Sequence, residues 1–188
     1  MAVIAVALLT VILIVLIIGV IYLAATYNAL VRRRNEIDNA WAQIDVQLKR
    51  RFDLIPNLVE TVKGYAAHER QTLEAVVAAR AGAINANGPG QRAQAEGALT
   101  GALKSLFAVA EAYPDLKANQ NFRDLQEELS ATENRISYSR QYYNDAVLTY
   151  NNKIQTVPTS LFAGALGFHS REYFQTPGEE RGPVQVRF

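Results

Sequence analysis

Residues 2–25, AVIAVALLTVILIVLIIGVIYLAA, decide the fold, because they decide where every later residue can be. The run carries no charged side chain, and Thr10 and Tyr22 are its only hydroxyls. At about 1.5 Å rise per residue it reaches about 36 Å, enough to cross a hydrocarbon core of about 30 Å with some tilt. It reads as a transmembrane helix. A cleaved signal peptide would want a basic stretch ahead of a shorter apolar core, and here no Lys or Arg precedes the run. A buried helix of a soluble protein would need polypeptide on all sides, more than the rest of this chain supplies.

The charges that follow set the expected orientation. Arg32, Arg33 and Arg34 come just after the run, whereas only the α-amino group lies before it. The positive-inside rule therefore keeps the C-terminal side in the cytoplasm and sends the short N-terminus across a bacterial inner membrane. Tyr22 and Tyr27 suit the interfacial belt at that exit, and each arginine is worth about 1 kcal/mol toward anionic head groups.

The remaining residues, about 160 of them, are enough for one domain with one core. All 19 Lys and Arg and all 18 Asp and Glu lie after Val31, leaving the polar part nearly neutral and well mixed in sign. A nucleic-acid binder would show a clear basic excess, so no nucleic-acid partner is expected. With no cysteine, a disulfide framework and any thiolate metal site are excluded.

From Tyr27 onward large side chains recur at 3-4 spacing: Leu30, Ile37, Trp41, Ile44, Leu48 and Ile55. They form one apolar stripe, interrupted at Arg34, and no Gly or Pro lies between Tyr22 and Phe52, so the membrane helix is expected to continue as the first helix of a bundle. Pro56, with Asp53 as an N-cap three residues earlier, predicts a chain reversal near residues 51–53, the alternative being a kinked continuous helix. A second helix then carries Leu58, Val62, Tyr65, Leu73, Val76, Val77 and Ile84, with Gly64 a weak point, and ends at NANGPG, residues 85–90. A third, Ala-rich helix is expected over about 91–113, closed by Tyr113-Pro114-Asp115. A fourth, over about 117–156, keeps a stripe from Phe122 through Leu129, Ile136, Tyr143 and Tyr150 to Val157, and is too long for the third to cover.

Short turns between successive helices would make this an antiparallel four-helix bundle over residues 26–156, and parity then returns the fourth helix to the bilayer. It would deliver VPTSLFAGALGF, residues 157–168, an uncharged apolar segment whose Leu161, Phe162, Leu166 and Phe168 either contact lipid or another subunit, or fold back as a cap. The end of the 157–188 tail is turn-rich, with Val184, Val186 and Phe188 as a weak edge-strand alternation beside the plainer reading of a flexible tail.

Catalytic patterns fail on inspection. Tyr65 stands where a diiron bundle would need the Glu of Glu-x-x-His before His68, Thr72 stands where a zinc protease would place its second His, and His169 has no partner in sequence. Glu127, Glu128 and Glu133, like Asp38, Asp45 and Asp53, are interleaved with Arg and Lys as on a solvated coiled-coil flank, although Asp38 and Asp45 share a heptad position that could pair across subunits. Trp41, Tyr138, Tyr142 and Tyr143 read as core aromatics. The expectation is no enzyme, no cofactor, no metal and no small-molecule substrate.

The run YNALVRRRNEIDNAWAQIDVQLKRRFDLIPNLVETVKGYAAHE, with YN before KIQTVPTSLFAGALGF, resembles the LemA family over nearly the whole chain. That resemblance implies a single N-terminal membrane helix, a long antiparallel helical bundle and an outward N-terminus, and it brings no catalytic residue. Related tails read more like FP-x-N-x-I-A-x-x-FGF, from which Val157 and Ser160 depart. A magnetosome branch of the family implies membrane invagination, and other relatives imply envelope stress. The favoured expectation is a membrane-anchored homo-oligomeric scaffold whose Arg32, Arg33, Arg34, Leu161, Phe162, Leu166 and Phe168 meet lipid or a neighbouring subunit. The alternative is a monomeric adaptor for another membrane protein, such as a protease.

Overall fold

A computed structural model describes residues 2–175. Within them the chain is all-helical, without strands: α1 (Ala2–Lys63), α2 (Arg70–Asn85), α3 (Gly88–Ala110), the short α4 (Pro114–Ala118), α5 (Gln120–Gln155) and a 3₁₀ turn at Thr159–Leu161. The alternation at Val184, Val186 and Phe188 lies outside the described residues. Helices α1 and α5 each contribute to two compact units, one of residues 2–39 and 145–171, the other of residues 40–144 and 172–175.

The expected reversal at residues 51–53 does not occur. Helix α1 runs through Pro56 to Lys63, 62 residues in all. Pro56 has no N–H to offer the carbonyl of Phe52 four residues earlier, an omission that ordinarily breaks a helix. Here the Arg80 side chain of α2 donates its Nε–H to that carbonyl at 2.7 Å. A partner from another helix thus replaces the missing donor. The helix stops instead at Gly64, where Tyr65 and Ala66 both bond back to the Val62 carbonyl and Ala66 is buried. Leu58 and Val62 consequently belong to the core face of α1 and not to a second helix.

The later boundaries lie close to expectation. Helices α2 and α3 are joined by Ala86 and Asn87 and pack on one another, with Pro89 in the first turn of α3. Asn119 caps α5, its side-chain oxygen accepting the Phe122 N–H at 3.0 Å. In the second unit Trp41 meets Tyr143, Arg51 pairs with Glu133 and Arg50 with Glu128. The earlier Trp41 of α1 meets the later Tyr143 of α5, whereas the later Arg50 and Arg51 meet the earlier Glu128 and Glu133, so the two helices run antiparallel there.

The core of that unit holds Ile44, Leu48, Ile55, Leu58, Leu99, Leu106, Phe122 and Ile136. It also holds charge. Arg51 is 3% exposed and Glu96 0%. Arg51 Nη1 donates to Glu96 Oε2 at 2.9 Å and forms an ion pair with Glu133 Oε2 at 2.8 Å, while its Nη2 donates to Thr100 Oγ1 at 2.9 Å. Burial pushes the Glu96 carboxyl above the usual carboxylate range against the lowering pull of Arg51, Arg140 and Arg92.

Candidate membrane-exit site

The first unit contains the apolar run, none of whose residues is buried. This is a helix long and apolar enough to cross a membrane, with its large side chains outward from Val3 to Leu23. Burial begins at Thr26 and Leu30, where the apolar run has ended. Buried in the same unit are Ala146, Val147, Tyr150 and Ile154 of α5, along with Thr159, Ala163 and Phe168 of the segment that follows it.

That segment reaches the end of the span. The ring of Phe162 stands edge-on to Tyr22 with centroids 6.5 Å apart, and Phe168 meets Tyr27 at 5.4 Å. Tyr22 lies three residues before Ala25, the last residue of the apolar run, so Phe162 meets the run close to its boundary. Gly167 makes the turn between them, adopting a φ of 78° that a side chain would strain, and the Phe168 N–H closes on the Ala163 carbonyl at 3.0 Å.

The expected contact residues separate into two groups. Phe168 is 4% exposed and buried within its own chain, and Phe162 is half-buried on Tyr22. Leu161 at 79% and Val157 at 77% face outward, as does Leu166. Arg32 is exposed, Arg33 is half-buried, and the Arg34 guanidinium lies 5.7 Å from the centre of the Phe168 ring. That cation–π contact explains why Arg34 interrupts the apolar stripe: the position faces an aromatic ring whose face attracts a cation.

A second feature escaped the sequence reading. Asn151 grips Arg171 at both ends, its Oδ1 accepting the Arg171 N–H and its Nδ2 donating to the Arg171 carbonyl, each at 2.9 Å. The Arg171 guanidinium then reaches Asp38 at 3.0 Å. Asp38 is therefore paired within its own chain, and so is Asp45, which meets Arg92 at 3.3 Å. The available signal was Asn144 and Asn151, seven residues apart on one face of α5, where asparagine is a weak helix former. Of the four supposed core aromatics Trp41 and Tyr143 do pack together, but Tyr138 and Tyr142 are exposed.

His68 and His169 are both exposed, and the described residues include no cluster of three or more His, Asp or Glu that could hold a metal. The family model described as LemA family matches residues 40–188. This chain belongs to the LemA family. It is 30% identical over 178 residues to protein LemA of Metamycoplasma hominis, covering 92% of this chain and 80% of that one. Magnetosome protein MamQ 2 of Paramagnetospirillum magneticum is 28% identical over 175 residues, and magnetosome protein MamQ of Magnetospirillum gryphiswaldense 27% over 174. The chain spans only 64% of the length of each of these magnetosome proteins.

Proposed function

We propose that this protein is a membrane-anchored, non-enzymatic scaffold that self-associates at the cytoplasmic membrane and shapes or stabilises it. Residues 2–25 cross the bilayer with the N-terminus outside, α1, α2, α3 and α5 form an antiparallel bundle in the cytoplasm, and residues 157–168 return to the lipid boundary. The observation that carries this is Phe162 on Tyr22, which holds the exposed Leu161 and Leu166 beside the end of the span. An apolar patch at that depth meets the lipid interface, with Arg32 and Arg33 beside it for anionic head groups. The similarity to proteins named for the magnetosome points the same way.

Two measurements test it. In the Trp41→Phe background, Leu161→Trp reconstituted into vesicles is expected to be quenched by lipids brominated near the glycerol level, and the detergent-extracted protein is expected to be larger than one chain. A tryptophan at 161 blind to brominated lipid, or a monomer at every concentration, refutes the scaffold. The specific observation favouring an adaptor is a groove of about 690 Å³ between α3 and α5, lined by Leu103, Phe107, Leu129 and Arg51 among others. Crosslinking in cells that gave one foreign protein and no self-adduct would select the adaptor.

A further inference from the structure

The first unit gathers cationic donors that its own acceptors do not use up, just where α1 has left the apolar run. The half-buried Arg34 guanidinium lies over the Phe168 ring, and among the described residues no hydrogen bond or ion pair engages its five N–H groups. Arg171 gives one nitrogen to Asp38 at 3.0 Å, and 41% of its side chain is exposed. Tyr150, 1% exposed, brings a hydroxyl that no hydrogen bond among the described residues uses. Burial pushes that hydroxyl above its ordinary range, Arg171 and Arg34 pull it down, and Asp38 raises it. All three charges therefore act on one buried polar group.

The depth of this cluster fits a lipid head group. Arg34 is nine residues past Ala25, about 13.5 Å along the axis, but helical side chains lean toward the N-terminus, here toward the bilayer. The Phe168 ring records the result, since it meets Arg34 at 5.7 Å and also Tyr27 at 5.4 Å, and Tyr27 lies only two residues past the run. Head groups occupy about 5–8 Å on each face of the hydrocarbon core. The cluster is also fixed in advance: Phe168 holds Arg34, and Asn151 holds both main-chain groups of Arg171. Little ordering is left for a ligand to impose. Arg34, Arg171 and Asp38 together leave one net positive charge, which a phosphodiester neutralises.

We propose that Arg34, Arg171 and Tyr150 form a site for the phosphodiester of one anionic phospholipid of the phosphatidylglycerol class, taken from the leaflet that α1 leaves. The proposal rests on the bilayer placement proposed above. The two guanidinium groups donate to the phosphate oxygens, the Tyr150 hydroxyl donates a further bond, and Asp38 keeps Arg171 oriented. A zwitterionic lipid would bring its own ammonium group toward two guanidinium groups, so it is disfavoured.

The full chain, stripped of lipid in detergent and titrated with phosphatidylglycerol, is expected to keep one lipid per chain in native mass spectrometry, while phosphatidylcholine at the same concentration leaves it bare. Tyr150→Phe changes no charge and keeps the buried ring, and is expected to weaken retention about threefold. Arg34→Gln and Arg171→Gln are each expected to weaken it about fivefold, whereas the joint Arg32→Gln and Arg33→Gln variant keeps the lipid. Should Arg34→Gln lose its helical circular dichroism, Arg171→Lys, which keeps the charge and the main-chain grip but not the planar fork, is expected to retain less lipid than wild type. Equal losses in every arginine variant with none in Tyr150→Phe would reduce the cluster to diffuse surface charge and overturn the site. Displacement of the lipid by an excess of inorganic phosphate would assign the cluster to a free anion and overturn it as well. If brominated lipid quenches a tryptophan at 161 but no phosphatidylglycerol is retained, the site is wrong and the scaffold stands; failure of both measurements overturns both.

Discussion

At the scale of single residues, the unusual feature is Arg51, a guanidinium buried in the second unit with two glutamates on one nitrogen. Removing one partner of a buried charge pair costs about 3–5 kcal/mol, because the remaining charge has lost its compensation. Arg51→Met is expected at the lower end, about 3 kcal/mol by denaturant titration, since the orphaned Glu96 can take up a proton. The pH dependence has a definite sign. Burial raises the Glu96 pKa above its unfolded value, so between those two values the folded chain holds a proton that the unfolded chain has released. The stabilisation from Glu96 is complete below the unfolded value and is lost as pH rises through the folded one. Wild type is therefore expected to lose stability relative to Glu96→Gln as pH climbs above the carboxylate range. A wild type and Glu96→Gln with parallel pH profiles would contradict the buried carboxyl.

Among the elements, α1 shows most clearly what local sequence can and cannot tell. The span was legible because hydropathy over residues 2–25 is a local property, and the end of α2 because Asn, Gly and Pro at 85–90 act on their own backbone. Pro56 misled because its effect depends on Arg80, 24 residues away in the chain and on another helix. Gly64, read only as a weak point, is where α1 ends. A double-mutant cycle tests that account. Arg80→Met leaves the Phe52 carbonyl without a donor and is expected to cost about 1–3 kcal/mol. In Pro56→Ala the restored N–H can bond that carbonyl, and the same Arg80→Met is expected to cost under about 1 kcal/mol. Equal costs in the two backgrounds would show that Arg80 supports α1 in some other way. At the exit site, Phe168 illustrates the same limit: its apolar character was plain, but Tyr27 and Arg34 claim it from within the chain, leaving Leu161 and Leu166 outward. Residues 171–174 were hidden for a related reason, since their anchors are side chains of α5 and their own sequence has no periodicity.

For the molecule as a whole, the testable quantity is which way it sits in the bilayer, and that depends on few charges. Arg32, Arg33 and Arg34 are the cationic residues nearest the span, and orientation follows the Lys and Arg count within about 15–20 residues of its ends. Because the protein has no cysteine, a single introduced thiol reports on topology without background. Ser105→Cys, on an exposed position of α3, is expected to resist a membrane-impermeant maleimide in intact cells and to react once the membrane is opened. Replacing all three arginines with glutamine removes the local bias, and a measurable fraction of Ser105→Cys chains should then become labelled in intact cells. Arg34→Gln alone should leave the orientation intact, because Arg32 and Arg33 still hold the bias, while weakening the grip on Phe168 through the lost cation–π contact. Labelling of Ser105→Cys from outside in the otherwise unaltered protein would invert the proposed topology and place the α3–α5 groove on the far side of the membrane.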